Sequence, residues 1–443
     1  MGVLNFSCKR GQNEIHSDFA EREKIQGLKN LNVPNLSFKR EQSESCFDSA
    51  ERVINQKQNV PNLRFPEFTG EYEKYNLGEL GSTLIGLTYS PADVVSEGGT
   101  IVLRSSNIKN GVTNYDDIVR VNKKIKDSII TRTNDILVCA RNGSPRLIGK
   151  NAILKESDSN ITFGAFMMIY RSNDNTYIHQ LLSTKRFYSQ VGENLGARIN
   201  QITTSDFNSF EFYFPKSKEE RIKIASLLAL IDKRIETQNK IIEDLKKLKV
   251  AIIENAFCGK HYNYKIGDII TQISNRNKSN KETNVLSVSN KLGFVEQSEQ
   301  FEDRTVASED VTNYKIVRTN DFAYNPARIN VGSIARLKQY ESGIVSPMYI
   351  CFHAKKNVLP EYLEMVFLTQ YFKHEMYKRL EGSVRLCLSF EGLTNIPISI
   401  PEIPLQKEIS EKILAFETKI GIEEHYLNAL EKQKQYLLQQ MFI

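Results

Sequence analysis

The sequence has few cysteines and no long apolar run, and both absences narrow the class of protein. Its six cysteines are scattered and form no C-x-x-C pair, which argues against a disulfide framework or a zinc site and favours a reducing compartment. No apolar stretch approaches the length of a membrane span, and the N-terminus carries no signal-peptide core. We therefore expect a cytoplasmic protein with no membrane partner.

Catalytic motifs are absent as well. The six histidines are isolated, and no H-x-x-H or H-E-x-x-H spacing occurs, so metal-assisted catalysis is not expected. The stretch from Gly143 to Lys150 has one residue too many between its glycines for a P-loop, and Asn151 stands where that motif needs Ser or Thr. Residues 325–328 depart from the N-P-P-[YF] motif of amino-methyltransferases after its first proline. These absences favour a binding role, with no catalytic residue and no metal site.

Charge of one sign is not in large excess either. The chain has 59 Lys and Arg against 53 Asp and Glu, a net charge of only +6. This balance fits an ordinary soluble protein and leaves open an anionic partner that is met by local basic patches. At 443 residues, of which 40% are hydrophobic, the chain is long enough for two to four domains with their own cores.

The chain does contain an internal repeat. After Pro215, residues that would lie on one face of a helix recur at alternating spacings of four and three residues. The same pattern returns in the same order near the C-terminus, at one constant offset along the chain. The first set is Ile224, Leu228, Ile231, Ile235, Gln238, Ile242, Leu245, Lys249, Ile252 and Ala256. The second set is Ile409, Ile413, Phe416, Ile420, Glu423, Leu427, Leu430, Lys434, Leu437 and Met441. Two like halves, each ending in a long helix, indicate a pseudo-dimer in one polypeptide.

The repeat also predicts how the two long helices pack. A sustained seven-residue pattern requires a partner helix, and the partner of equal length is the other helix of the same chain. A two-fold relation between the halves makes this pair antiparallel, with Gln238 and Glu423 forming a polar layer near its middle. The pair spans about 50 Å, or roughly fifteen base pairs of a duplex. In the alternative interpretation, each helix only covers the sheet of its own domain.

The expected fold class is α+β, with two α/β domains in pseudo-two-fold tandem, each followed by a long helix of an antiparallel coiled coil. Short apolar stretches at 100–103, 135–140 and 165–170 predict strands, and 177–191 and 360–380 predict helices. Ser217 and Glu220 have the spacing of a capping box, and Gly259 suits a helix C-terminus. The predicted segments are a polar leader with a short tandem repeat (1–70), a first domain (71–214), a first helix (215–258), a second domain (259–400) and a second helix (401–443).

Polar, glycine-flanked loops in both halves resemble a surface that reads nucleic acid. Arg recognises guanine and Asn or Gln recognises adenine, while Ser and Lys position a protein on phosphates. The candidates in the first half are Arg104, Ser106, Asn107, Lys109, Arg141, Asn142, Ser144, Arg146, Lys185, Arg186, Arg198, Asn200 and Gln201. Those in the second half are Ser289, Asn290, Asn325, Arg328, Asn330, Ser333, Lys378, Arg379, Ser383 and Arg385.

From Val60 onward the chain resembles the specificity subunit of type I restriction–modification systems. The order of segment, domain, helix, domain and helix carries the resemblance, together with several short phrases. These are Val60-Pro61-Asn62-Leu63-Arg64-Phe65, Thr133-Asn134-Asp135 and Thr319-Asn320-Asp321, the helix beginnings at 214–220 and 400–406, and the helix ends at 252–257 and 437–442. In the family the opening segment lies close to the N-terminus, whereas here about 59 residues precede it.

The resemblance implies a function. Each globular half would be a target-recognition domain that reads one part of a split site in double-stranded DNA. The helix pair would be a spacer that docks two methyltransferase subunits, and restriction/translocase subunits would join them. The subunit itself would be non-catalytic and hold no cofactor, with S-adenosylmethionine, ATP and magnesium in the partner subunits. A second hypothesis, from a different class, is a structural coiled-coil scaffold whose globular ends bind proteins.

Overall fold

The protein consists of two similar globular halves joined through two long helices. The computed structural model describes residues 59–195, 200–257, 262–290, 292–297, 310–383 and 385–443. The predicted fold class is confirmed, because each half combines sheets with short helices and is followed by one long helix. The leader up to residue 58, its tandem repeat and the Gly259 cap lie outside the described residues.

Within its described residues, the first half contains twelve short strands and four short helices. Its strands are β1 (Glu73–Asn76), β2 (Ser82–Ile85), β3 (Val94–Val95), β4 (Thr100–Leu103), β5 (Ile108–Lys109), β6 (Val112–Thr113), β7 (Val119–Val121), β8 (Ile136–Cys139), β9 (Asn151–Ile153), β10 (Thr162–Phe163), β11 (Met167–Arg171) and β12 (Glu211–Phe214). Its helices are α1 (Leu77–Leu80), α2 (Asn175–Leu181), α3 (Lys185–Leu195) and α4 (Thr204–Ser209). The long helix α5 (Lys218–Phe257) follows.

The second half repeats this plan within its described residues. Its strands are β13 (Tyr264–Lys265), β14 (Ile270–Ile273), β15 (Val285–Ser289), β16 (Gly293–Glu296), β17 (Lys315–Arg318), β18 (Phe322–Tyr324), β19 (Ile334–Arg336), β20 (Ser342–Val345), β21 (Ile350–Ala354) and β22 (Pro397–Ile398). Its helices are α6 (Ile266–Ile269), α7 (Pro360–Val366), α8 (Gln370–Tyr377) and α9 (Phe390–Thr394). The second long helix is α10 (Ile403–Met441).

The sheet topology shows that the two halves are copies of one design. An antiparallel sheet has the order β2-β11-β8-β9 in the first half and β14-β21-β18-β19 in the second. A second sheet, with the order β10-β4-β7-β3 or β16-β15-β20-β17, contains one parallel pair in each half. A two-stranded ribbon, β1-β12 or β13-β22, closes each half beside its long helix.

Strand β8 shows why the central sheet is built from a continuous apolar run. Ile136 and Val138 face a core that contains helices α2 and α3, whereas Leu137 and Cys139 face the core between the two sheets. Successive side chains point to opposite faces of a strand, so a sheet covered on both sides needs an apolar residue at every position. Each half is therefore three layers thick, with a helical layer over one sheet and a second sheet below it.

The continuous helices predicted at 177–191 and 360–380 are wrong, because each is broken by a threonine. The hydroxyl of Thr184 donates to Leu181 O at 2.7 Å and accepts from the N–H of Phe187. The hydroxyl of Thr369 makes the same bond to Val366 O, also at 2.7 Å. A threonine side chain that competes for backbone partners ends one helix and caps the next. The two threonines occupy equivalent positions of the internal repeat, so the break belongs to the repeat.

The long helices α5 and α10 form an antiparallel pair, as predicted. Gln238 Nε2 donates to the carboxylate of Glu423 and, at 3.1 Å, to its backbone oxygen. Lys249 pairs with Glu417 at 2.6 Å and Lys434 with Asp232 at 2.5 Å. The two lysines are equivalent positions of the repeat and so are their acidic partners, so the helix pair has a local two-fold axis near Gln238.

The ends of the helix pair belong to the globular cores. The first core includes Leu228 from the start of α5 and Met441 from the end of α10. The second core includes Ile413 from the start of α10 and Ile253 from the end of α5. The interpretation that each helix covers only its own domain is therefore wrong, since each half packs on both helices.

Residues 59–72, which we call the clasp segment, tie the start of α5 to the end of α10. Arg64 donates to both carboxylate oxygens of Glu220 at 2.8 Å, and the Tyr72 hydroxyl donates to the same group at 2.9 Å. Leu63 N–H bonds Gln440 O at 2.8 Å. The predicted capping box is therefore only half formed: Ser217 caps the Glu220 N–H at 3.1 Å, but the Glu220 side chain binds the clasp segment.

Candidate nucleic-acid interface

Four segments that are distant in the sequence meet on one side of the first half. The N–H of Arg141 bonds Phe166 O at 2.9 Å. Asn142 Nδ2 donates to Ser105 Oγ at 3.0 Å, and Asn200 Nδ2 donates to Gly143 O at 3.1 Å. The N–H of Ile202 bonds Ala140 O at 2.8 Å. We call residues 104–107, 141–146, 164–167 and 200–202 the first loop surface.

The second half forms an equivalent second loop surface from residues 289–290, 325–333, 382–383 and 385–386. The N–H of Leu388 bonds Pro326 O at 3.0 Å, which repeats the bond of Ile202 to Ala140. Glu381 and Cys387 exchange backbone hydrogen bonds of 2.9 and 2.8 Å and so form an antiparallel bridge. Gly382 has a φ of +114°, and a Cβ there would collide with Arg385 O, so this turn requires glycine.

Exposed guanidinium groups lie on both loop surfaces. Arg141 and Arg146 are exposed on the first surface, and Arg328 and Arg385 on the second. None of these four arginines forms an ion pair with the residues that the structure describes. Guanidinium groups free in this way are available to the phosphates and base edges of a nucleic acid.

Two matches to one family model identify the family of the chain. Residues 69–247 and 260–432 each match the model of the type I restriction modification DNA specificity domain. The chain belongs to this family of specificity subunits. It is 23% identical over 414 residues to the type I restriction enzyme MjaVIII specificity subunit of Methanocaldococcus jannaschii, and the match covers 85% of this chain and 92% of that protein. The structure of the type I S subunit from M. genitalium has the same fold, with a TM-score of 0.53 at 17% identity, over 87% of this chain and 99% of that one.

Several predicted contact residues of this specificity subunit do lie on the loop surfaces. Arg104 is held by Asp117 at 2.7 Å, and Gln201 forms an isolated β-bridge with Arg141. Ser144 and Asn330 are half-buried at short 3₁₀ helices. Fully or partly accessible candidates also include Ser106, Asn142, Asn200, Ser289, Asn290 and Ser383. Arg198 lies outside the described residues.

Three of the predicted contact residues are corrected by their burial. Asn107 is only 1% exposed, and its amide nitrogen donates to Asn114 O and Asp117 O at 3.0 and 2.9 Å. Asn325 is buried and accepts from the Ala327 N–H at 3.0 Å, and buried Ser333 donates to Val288 O at 3.0 Å. A buried polar side chain must be hydrogen-bonded within the fold, and these bonds show that the three side chains serve to shape the loops.

Five basic candidates lie outside the two loop surfaces, and their contact with nucleic acid stays a prediction. Arg186 donates to Glu211 O at 3.0 Å and lies over the Tyr213 ring, and Lys185 lines a groove of about 450 Å³ against the end of α10. These contacts join them to β12 and the helix pair. Three more are held by acidic neighbours, which leaves them less available to a ligand: Lys378 and Arg379 bind Glu375 at 2.7 Å each, and Lys109 lies 3.7 Å from Asp116.

The seam residues predicted for the helix pair all lie at least partly out of solvent. Gln238 and the apolar residues Ile224, Leu228, Ile231, Ile242, Ile413, Ile420, Leu430 and Met441 are buried. The remaining seam residues are half-buried: Ile235, Leu245, Lys249, Ile252, Ala256, Ile409, Phe416, Glu423, Leu427, Lys434 and Leu437. The other faces of the two helices are largely polar and also carry exposed apolar or aromatic side chains, among them Leu230, Ile241, Leu248, Val250, Leu414, Ile422, Tyr426 and Tyr436.

The sequence interpretation missed an exposed aromatic residue on the first loop surface. Phe166 is 61% exposed, and the Arg141 guanidinium carbon lies 5.6 Å from the centre of its ring. The sequence places Phe166 within a predicted strand at 165–170, but β11 begins only at Met167. The continuous apolar run of the strand extends into the turn before it, so the pattern alone does not separate the two.

Other chemistry is not evident in the structure. No group of three or more His, Cys, Asp or Glu side chains in the described ranges is arranged to hold a metal ion. Among those same residues, no helix is both long and apolar enough to cross a membrane.

Proposed function

We propose that this specificity subunit reads a bipartite site in double-stranded DNA, with one loop surface on each part. The supporting observation is the matched pair of loop tethers, Ile202 to Ala140 and Leu388 to Pro326, which hold equivalent loops in both halves. Each surface carries two exposed arginines, and arginine is the residue that most often reads guanine in the major groove.

The helix pair supports the bipartite part of the proposal. Each long helix has 39 or 40 residues, which corresponds to about 60 Å. Because the helices are antiparallel and each half packs on the start of its own helix, the halves lie at opposite ends of the pair. A rigid spacer of this length corresponds to roughly eighteen base pairs of duplex at about 3.4 Å per pair, so a stretch of duplex would lie unread between the two contacts.

The outer faces of the helix pair support a scaffold role. Exposed Leu and Ile side chains occur on both long helices, with Val250 on α5 and Tyr426 and Tyr436 on α10, and exposed apolar groups of this kind suit contact with partner proteins. The helix pair has a local two-fold axis, and exposed Ile241 and Tyr426 are equivalent positions of its repeat. We propose that the helix pair docks two methyltransferase subunits, that restriction/translocase subunits complete the complex, and that S-adenosylmethionine, ATP and magnesium are bound by those partners. In this arrangement the chain itself has no catalytic residue.

Methylation sequencing tests this function. The chain would be expressed with its methyltransferase partner in cells that lack other DNA methylation. We expect one methylated motif with two defined parts and an undefined gap, and specific duplex binding that weakens steeply between about 50 and 200 mM salt. A complex that assembles but shows no sequence preference would contradict the proposal and favour the protein-binding scaffold.

A further inference from the structure

Phe166 is an exposed aromatic side chain on a rigidly held turn. Its backbone oxygen accepts hydrogen bonds from the N–H groups of Ala140 and Arg141 at 3.1 and 2.9 Å. The two residues before it donate to Leu103 O and Leu87 O at 2.9 Å each. Three separate segments therefore fix this turn, although the phenyl ring remains 61% exposed. A large apolar side chain that is fixed but not buried marks a contact surface.

Arg141 lies over the ring of Phe166, which stays 61% exposed beside it. The guanidinium carbon is 5.6 Å from the ring centre, within the range of a cation–π contact. Within the described part of the chain Arg141 has no acidic partner, whereas Arg171 is held by Asp135 at 2.8 Å. Its hydrogen-bonding groups are therefore available to a ligand that also meets the ring.

An open groove of about 610 Å³ lies beside the pair and is mostly apolar. Leu87, Tyr89 and Val94 form its wall together with Phe166, and Ser105 lies at its edge. This groove widens the apolar contact beyond the ring itself. A ligand that fits it must offer an apolar group next to a strong hydrogen-bond acceptor.

The second half has no equivalent of this pair. The loop tethers align Ala140 with Pro326, so the position of Arg141 is taken by Ala327. In the strand register, Phe166 corresponds to Met348, which is 56% exposed. The feature thus distinguishes the first loop surface from the second.

We propose that Phe166 and Arg141 together read a thymine next to a guanine in the part of the site bound by the first half; this proposal rests on the proposed function. The C5-methyl of thymine is the apolar group that base pairs present in the major groove, and guanine offers the paired acceptors that arginine prefers. The distance between the guanidinium carbon and the ring centre is 5.6 Å, which lies between one and two base-pair steps of about 3.4 Å each. This distance suits contacts to two neighbouring base pairs.

Removal of single methyl groups from the DNA tests the proposal. Each thymine of the methylated motif is replaced in turn by deoxyuridine, which removes only the methyl group, and binding to the assembled methyltransferase complex is measured. We expect one replacement to weaken binding of the unaltered protein about fourfold, the effect of one buried methyl. With Phe166→Ala the same replacement has no effect, and with Arg141→Ala the preference for the adjacent guanine falls about tenfold.

Two comparisons separate this contact from a general loss of structure. Ile85→Ala removes an apolar side chain of similar exposure, 59%, from the same half and should keep the full response to deoxyuridine. Phe166→Leu should keep part of it. Three results would overturn the proposal while leaving DNA reading by the subunit intact. They are a motif without thymine, equal binding of every deoxyuridine duplex, and a loss of binding on deoxyuridine replacement that persists with Phe166→Ala. Absence of any specific binding would overturn the proposed function as well.

Discussion

At the scale of single residues, stability depends on polar groups buried where the helix pair meets the first half. His179 is buried in α2, and its pKa is lowered to about 4, mainly by burial and also by Lys434, although Asp232 opposes this. Glu220 is 1% exposed and joins α5 to the clasp segment through Arg64 and Tyr72. Burial and the bond to this carboxylate raise the pKa of the Tyr72 hydroxyl, so the phenol stays protonated.

The buried histidine predicts a stability loss in mild acid. Above about pH 6.5 His179 is neutral in both folded and unfolded chains, but between about pH 6.5 and pH 4 only the unfolded chain takes up the proton. The free energy of unfolding should therefore fall by about 2 kcal/mol from pH 7 to pH 5 through this residue. Urea titrations at the two pH values measure it, and His179→Gln should show a smaller fall than the unaltered chain.

Removal of the Glu220 charge should loosen the clasp segment. Glu220→Gln deprives Arg64 of its carboxylate, and a hydrogen bond between charged groups contributes about 1.5–3 kcal/mol. We expect the free energy of unfolding of the first half to fall by about 2 kcal/mol in denaturant titrations. The neighbouring exposed Glu219→Gln is the matched control and should change it by less than about 0.5 kcal/mol. Equal effects of the two substitutions would contradict a structural role for the buried pair.

At the scale of elements, the helix pair could be predicted and the loops could not. Ten seam positions of the first helix return in order in the second. The pattern therefore predicts which helix is the partner, that the two helices are antiparallel, and that a polar layer lies at Gln238. Asn107 and Arg104 are equally polar in the sequence, but only the turn of the backbone decides which one is buried. Thr184 and Thr369 interrupt helices that the apolar pattern continues, because a side-chain hydrogen bond outweighs the periodicity there.

The antiparallel pairing changes how the spacer can be lengthened. A seven-residue insertion between 235 and 250 alone would move Lys249 away from Glu417 and shift the seam out of register. A matching insertion in both helices, after Ile242 and after Leu427, keeps the two-fold pairing. It adds about 10 Å, so the unread gap in the methylated motif should lengthen by up to about three base pairs.

The single insertion is the control for that experiment. It should abolish stable assembly with the methyltransferase, as measured by size-exclusion chromatography. An unchanged gap in the paired variant would show that the helices do not set the spacing.

At the scale of the whole molecule, each half has its own loop surface, but both halves pack against the same two long helices. Exchange of residues 71–214 for the corresponding half of another family member should alter one part of the methylated motif and leave the other part unchanged. The reason is that each loop surface is built entirely within one half, as the two loop tethers show. Methylation sequencing of the exchanged protein decides this, and a change in both parts would contradict modular reading.

The shared support has a consequence for how the protein is made. Leu438 and Met441 pack into the core of the first half, and the Phe442 ring lies 5.3 Å from that of Tyr177. A ribosome must translate the entire second half before it reaches these residues. The first half therefore leaves the exit tunnel with an incomplete core. Its folding is completed only when the end of α10 has been synthesised and packs against it. A nascent chain that is halted before that point should recruit chaperones, because the core of its first domain still lacks the side chains from the end of α10.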